Sequence, residues 1–414
     1  MSSVGIRGLV AEGPSGLARA NAGREGTMAE KVLRDGNTRV GYAELFYDLV
    51  FVFAITQVSH HLLYHYSLAG AVETALLFLA VWWVWIYTTW VLNFLDPEVL
   101  AVRLLLFLLM AAGLFLSMAI PEAFAHRGLI FALAYVAMQL GRTLYMLSVV
   151  WPQAHRRQTY LRITAYFVLS AVFWFWGALV EGHDQRLVLW ILALGIEYIG
   201  PRLSYYLPGF GQDHSTNWNV SGGHIAERCG LFVIICLGET LLVSGATFAE
   251  LDWDWPGLLA FLSSVAATAG MWWVYFHIGH RRGTHMIEHS ENPGAIARQS
   301  FTYFHIPIVA GIVLSAVGAE RAIAHPLYAA SYAEGASVIG GVVLFLIGCG
   351  QFKEASALAF PRSHRAGFVL LALAFALGPW MTLVMQNAIA ALILFVVAVL
   401  ERGDDLPAKV KSEA

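Results

Sequence analysis

Residues 99–120 read VLAVRLLLFLLMAAGLFLSMAI, with a single charge, Arg103, close to one end. Wound as a helix at about 1.5 Å per residue, these 22 positions reach about 33 Å. That matches the roughly 30 Å of hydrocarbon in a bilayer. The run is too long and too continuous for a strand of a membrane barrel. In lipid, moreover, each backbone N–H and C=O must be bonded within the protein, which makes a transmembrane helix the reading that remains.

The same pattern recurs along the chain. Spans are expected at roughly 42–66, 69–93, 99–120, 128–150, 160–181, 186–208, 224–248, 255–279, 296–319, 333–350, 365–385 and 387–402, with very short connections at Ser67 and Gln386. Composition agrees: 58% of the 414 residues are hydrophobic and only 13% charged, against about 25% charged in a soluble domain. The fold class is therefore an all-α integral membrane protein of about 12 transmembrane helices, with the lipid bilayer as its solvent. Residues 1–40, polar and rich in Gly, Ala and Arg without a secretory-type apolar core, are expected to be a disordered cytoplasmic tail. Residues 403–414 are expected to be a second one.

Basic residues set the expected orientation. With the first tail inside, 20 of the 25 Lys and Arg fall on cytoplasmic segments or inner helix ends, and three, Arg127, Arg186 and Arg321, fall outside. The positive-inside rule predicts this bias, with both termini cytoplasmic. The net charge of -3 is too small to indicate a partner, and nothing points to nucleic acid.

A weak internal repeat is visible. Ala43-Glu44 opens the first span and Ala226-Glu227 the seventh; Trp82-Trp83-Val84-Trp85 is matched by Trp272-Trp273-Val274-Tyr275, and Ala101-Val102-Arg103 by Ile296-Ala297-Arg298. The reading is a parallel repeat of six plus six spans, 41–223 and 224–402, as in some secondary transporters. The competing reading is chance recurrence in a Trp-rich membrane protein.

Charges inside spans cost at least about 2.5 kcal/mol each, so they are normally paired or functional. Glu44 and Asp48 lie four apart on one face of the first span. In the seventh, His224, Glu227 and Arg228 are spaced by three and four, and Glu239 follows eleven residues after Arg228, about 16 Å deeper. Arg142 and Glu197 enter the fourth and sixth spans from the other side. Together they form the candidate substrate or ion pathway: Glu44, Asp48, Arg142, Glu197, His224, Glu227, Arg228 and Glu239. Their competing reading is a set of ion pairs that only fixes helix packing.

Other features carry less. His61 and His65 are a weak metal candidate because imidazoles four apart face one way, and His277, His280, His285 and His289 form a second cluster within an ordinary basic loop. Trp82, Trp83, Trp85, Trp90, Trp272 and Trp273 read as packing or interfacial residues rather than a stacking site for a ligand. Pro201, Pro307 and Pro379 each remove a backbone bond within an apolar run. Cys229, Cys236 and Cys349 lie in apolar runs as small hydrophobes. No phosphate loop, dinucleotide fingerprint, nucleophile elbow or His-Glu-x-x-His is present. No catalytic residue and no cofactor is assigned.

The segments Glu44-Leu45-Phe46-Tyr47-Asp48-Leu49-Val50-Phe51-Val52, running on to Gln57 and His60, and His224-Ile225-Ala226-Glu227-Arg228 with Leu237-Gly238-Glu239-Thr240 resemble the low temperature requirement A family of bacterial membrane proteins. The resemblance extends from about Val40 to Glu401. It implies a multi-pass protein of the bacterial plasma (inner) membrane, and no settled molecular activity comes with it. The leading functional expectation is a transporter or ion pathway for a small solute or ion, with proton coupling through the buried carboxylates. An intramembrane metal- or haem-binding enzyme and a structural or sensory protein without turnover are the alternatives.

Overall fold

The computed structural model describes residues 32–34, 39–213, 220–277, 293–355 and 359–404. The basic-loop histidines His280, His285 and His289, most of the first tail and nearly all of the second lie outside the described residues. Twelve long helices follow the expected spans among the described residues. The first six are α1 Tyr42–Tyr64, α2 Leu68–Leu92, α3 Leu100–Ala119, α4 Gly128–Val150, α5 Ala154–Leu179 and α6 His183–Arg202. After them come α7 Gly222–Ala249, α8 Trp255–Phe276, α9 His305–Ala324, α10 Tyr332–Ala355, α11 Arg362–Ala376 and α12 Leu383–Asp404.

Ten helical segments are long and apolar enough to cross a membrane. The exceptions to the expected dozen are α6 and α11. α6 carries Asp184, Arg186, Glu197 and Arg202 within 20 residues. α11 has 15 residues, about 22 Å of helix.

Local chemistry explains where the helices stop. Ser67 caps α2 by accepting from the Gly70 N–H at 3.1 Å. Pro307 is the third residue of α9, where the missing N–H would have no partner within α9 itself. Pro379 is not inside a helix: it sits in a 3-10 turn, Gly378–Trp380, because a proline cannot continue α11. The break between the last two helices therefore lies there, and Gln386 is a buried residue of α12.

α2 is the central post of the first half, with 89% of its most apolar stretch buried. Trp82, Trp83 and Trp85 are shut inside; Trp83 stacks on Tyr198 of α6 at 3.8 Å between ring centres. α3, by contrast, turns Leu104, Phe107, Leu108 and Phe115 outward, a face suited to lipid. α9 and α10 pack closely along their length. A Cβ on Gly311 would fall 2.5 Å from the Phe345 nitrogen, and one on Gly348 2.6 Å from Ile308. Small residues let helices pack this closely where no hydrophobic force separates protein from lipid.

The pairings among α1–α6 have counterparts among α7–α12, where α8–α9, α9–α12 and α10–α12 meet in addition. α1 packs on α2 and α3, α2 on α4 and α6, and α3–α4, α4–α5 and α5–α6 are adjacent. α7 packs on α8 and α9, α8 on α10 and α12, and α9–α10, α10–α11 and α11–α12 are adjacent. The two sets touch where α1 and α2 meet α7 and α9.

α9 is preceded by a short helix, Pro293–Ala297, and a π-helical stretch, Arg298–Tyr303. Two indoles of α2 hold that stretch. Trp82 Nε1 donates to the Thr302 carbonyl at 3.0 Å and Trp90 Nε1 to its hydroxyl at 2.9 Å. Widened turns of this kind are frequent at functional sites.

Candidate functional site

The first turns of α1 and α7 face each other, and their charged residues meet there. Glu44 accepts from its own N-terminal turn through Gly41 N at 2.7 Å. Its other oxygen faces α7, 2.8 Å from His224 Nε2 and 3.2 Å from Arg228 Nη1. Arg34, from the segment before α1, adds a bond to Oε2 at 3.1 Å. One turn on, Asp48 Oδ1 accepts from Arg228 Nη2 at 2.7 Å and from Trp85 Nε1 of α2 at 2.8 Å. Glu44, Asp48, His224 and Arg228 are all at most 1% exposed.

Neighbouring amides set the tautomer of His224. Ser221 N donates to Asn93 Oδ1 at 2.9 Å, which places the amide Nδ2 of Asn93 at 3.3 Å from His224 Nδ1. Nδ1 is thus the acceptor, and Nε2 carries the proton donated to Glu44. Two atoms are left over. Asp48 Oδ2 and Arg228 Nε are buried without a hydrogen-bond partner among the described residues, an unusual circumstance for such polar groups.

A second network lies beside the first along α2. Arg142 Nη1 of α4 donates to the Val84 carbonyl at 3.0 Å and to Thr88 Oγ1 at 2.9 Å. Thr88 also accepts from Tyr47 OH of α1 at 3.0 Å. Arg142 lies over the Tyr87 ring, 5.4 Å from its centre, and its Nη2 bonds Gln139 Oε1. Gln139 Nε2 passes the contact on to Glu197 Oε2 of α6 at 2.9 Å. Tyr135, Ser170 and Trp174 complete the shell of that carboxylate at 2.7, 2.6 and 3.1 Å. Arg142 and Glu197 are thus connected through an amide rather than by a direct ion pair. α2 bridges the two networks, with Trp85 on Asp48 and Thr88 on Arg142 within one helical turn.

Residues 39–399 match the family model described as bacterial low temperature requirement A protein. The chain belongs to this family. A relative in Rhizobium meliloti (strain 1021), itself titled an uncharacterized protein, is 44% identical over 391 residues, covering 91% of this chain and 94% of the relative. No solved structure matches. In this low temperature requirement A protein, the cluster falls on the two segments whose sequence resembles the family.

The other candidates lie elsewhere. Glu227 is exposed and accepts from Val40 N at 3.3 Å, so it shares the helix end but not the buried cluster. Glu239 is buried on α7 without a hydrogen-bonding partner among the described residues, within electrostatic reach of Glu320 on α9, which also feels His60. At the opposite end of α1, His65 stacks on His61 at 4.5 Å between ring centres. Glu73 of α2 lies 3.2 Å from His61 Nε2 and 2.9 Å from His183 Nε2. Among the described residues no group of three His, Cys, Asp or Glu is disposed to hold a metal ion.

Sequence reading missed Tyr47, Trp85, Thr88, Asn93 and Gln139, which connect the charges. A usable signal was present for some of them. Thr88 and Asn93 lie on α2 near the depth of Glu44 and Asp48, and Gln139 precedes Arg142 by three, the spacing of neighbours on one helix face.

Proposed function

We propose that this protein is a carrier for a small solute or ion in which the Glu44–His224–Arg228–Asp48 cluster binds and releases protons as two six-helix halves, 41–223 and 224–402, move against each other. The observation that carries the reading is the position of the cluster: its acids come from α1, its bases from α7, and every member is buried where the two sets of helices touch. The matching order of helix packing in the two sets supports a parallel repeat, the arrangement that rocking carriers employ.

Proton binding can loosen this contact by simple chemistry. Ionised Glu44 is an acceptor facing N–H groups of Gly41, Arg34, His224 and Arg228. A proton on either oxygen turns an acceptor into a donor opposite a donor and removes the charge that holds Arg228. The same holds for Asp48 Oδ1, which faces Arg228 and Trp85. Buried Asp48 Oδ2 offers a lone-pair site for the incoming proton. Opening of the contact between α1 and α7 is thereby tied to protonation, and the basic residues on inner segments favour both termini in the cytoplasm of a bacterial inner membrane.

The test is flux in proteoliposomes across an imposed pH gradient, beside a melting curve for each variant. Glu44→Gln and Asp48→Asn, close in shape to the neutral acids, are expected to remain folded and to lose flux that depends on the gradient. Gradient-driven flux retained in both variants overturns proton exchange at the cluster. Severe loss of folding in both, with no flux from the unaltered protein over a broad screen of solutes and ions, favours a purely structural set of ion pairs.

A further inference from the structure

Next to the Arg142 network is a cavity of about 50 Å3, walled by Tyr87, Trp90 and Val91 of α2, Tyr160 and Ile163 of α5, and the π-helical stretch before α9. Most of its surface is aromatic or aliphatic. Its polar rim holds Thr143, Ser204, Asp213 and Arg298.

Of the two charged residues on this rim, the cation is the less satisfied. Asp213 is 4% exposed and faces His155 at 3.7 Å. Arg298 donates only Nη1, to the Pro201 carbonyl at 2.8 Å. Its Nε and Nη2 have no partner among the described residues. Two more guanidinium groups stand close by: Arg162, whose Nε donates to the Phe210 carbonyl at 3.0 Å, and Arg202, 4.7 Å over the Tyr303 ring. Three guanidinium groups thus stand against the one carboxylate of Asp213, and Arg298, which lines the cavity, keeps a planar pair of N–H donors without a partner among the described residues. That geometry matches a carboxylate, which guanidinium binds through two parallel bonds.

Volume limits the remainder of the ligand. A single water needs about 10–15 Å3, so the cavity admits a ligand of only a few non-hydrogen atoms. Short aliphatic acids fall in this range, from four non-hydrogen atoms in acetate to six in butyrate.

We infer that this cavity binds a small organic monocarboxylate, its carboxylate on Arg298 and its apolar body among Tyr87, Trp90 and Ile163. As the substrate site of a carrier this rests on the function proposed above; the binding itself does not. The cavity wall is also wired to the proton cluster. Tyr87 lies under Arg142, Arg142 bonds Thr88, and Thr88 accepts from Tyr47, the residue before Asp48. Tyr87 OH in turn bonds Tyr205 OH across the cavity. A ligand that displaces Tyr87 therefore has a short path of contacts to the helix that bears both acids.

The probe is butyrate, titrated into the full chain in lipid nanodiscs by calorimetry, with butanol and butylammonium as controls for apolar body and charge. Butyrate is expected to bind and both controls to fail. Arg298→Gln should weaken binding by about tenfold or more, the worth of a hydrogen bond to a charged group. Arg298→Lys should fall between. Ile163→Phe, which fills the cavity, should abolish binding while leaving the melting temperature near that of the unaltered protein. The inference is overturned if butyrate does not bind, or if it binds equally to Arg298→Gln and Ile163→Phe. Uptake of labelled butyrate into proteoliposomes separates the two claims. Binding without uptake upholds the site and counts against the carrier, whereas flux of another species with no butyrate binding upholds the carrier and overturns this site.

Discussion

Arg228 of α7 reaches across to Asp48 of α1 and donates to it at 2.7 Å, while its other terminal nitrogen holds Glu44 at 3.2 Å. One guanidinium thus clamps two carboxylates that lie one helical turn apart and would otherwise repel each other. Buried between α1 and α7, such a clamp helps hold the two helices together.

Removing the clamp should be costly. Arg228→Gln leaves two buried acids with weaker partners, and a loss of about 3–5 kcal/mol is expected, the usual effect of breaking a buried ion pair from one side. Combining it with Asp48→Asn should cost less than the sum of the single changes, since the neutral amide no longer needs a cation. Denaturation of the four proteins in detergent measures this coupling; strict additivity would show that Arg228 and Asp48 do not interact.

The grip of α2 on the π-helical stretch gives a separate test. Trp90→Phe removes the indole N–H that bonds the Thr302 hydroxyl, and Trp82→Phe removes the one on the Thr302 carbonyl. The carbonyl is the poorer candidate for rescue, because it can only accept, whereas a hydroxyl that loses an accepted bond can still be satisfied as a donor. Trp82→Phe is therefore expected to cost about 1–3 kcal/mol and Trp90→Phe less. Hydrogen exchange of residues 298–303 should accelerate in Trp82→Phe, and unchanged exchange would rule out the clamp.

Gly311 on α9 should not tolerate a side chain. Its Cβ would stand 2.5 Å from backbone on α10, where no rotamer can yield. Gly311→Ala is expected to push the two helices apart at a cost of about 1–3 kcal/mol. Gly340, whose Cβ would meet nothing within 4 Å, serves as the control: Gly340→Ala should leave the melting temperature unchanged or slightly higher.

α6 is the helix whose crossing most needs a direct measurement. Its charge near the first turn, Arg186, is covered by the carbonyls of Gly177, Ala123, Ala125 and Val180 at 2.9–3.2 Å, and Glu197 is enclosed by four donors. Both charges are thus removed from lipid, and the helix is expected to cross despite its composition. Reporter fusions after Gly182 and after Gly209 should read opposite sides, external and cytoplasmic. The same side for both would reduce the first half to five crossings.

Hydropathy is a local property, and for this reason the positions of the helices and the presence of costly charges on α1 and α7 could be read from the chain alone. Break points within a few residues were harder. Pro379 was legible as a helix breaker, yet the run around it is apolar enough to be read straight through. Which of the grouped charges would pair was not legible, because in lipid both the outward and the inward faces of a helix are apolar and no amphipathic stripe marks which side meets which neighbour. Glu227 and His224 illustrate the limit: three residues apart, one is exposed beside Val40 and the other is buried against Glu44. Glu239 falls within about 20° of the face of Arg228, since eleven residues make nearly three whole turns, but three turns of rise carry it to a different neighbour, Glu320. Residue type and spacing determined that this chain would bury charge inside a membrane. Which acid met which base was decided by the tilt and rotation of separate helices, through contacts between residues as distant as Asp48 and Arg228.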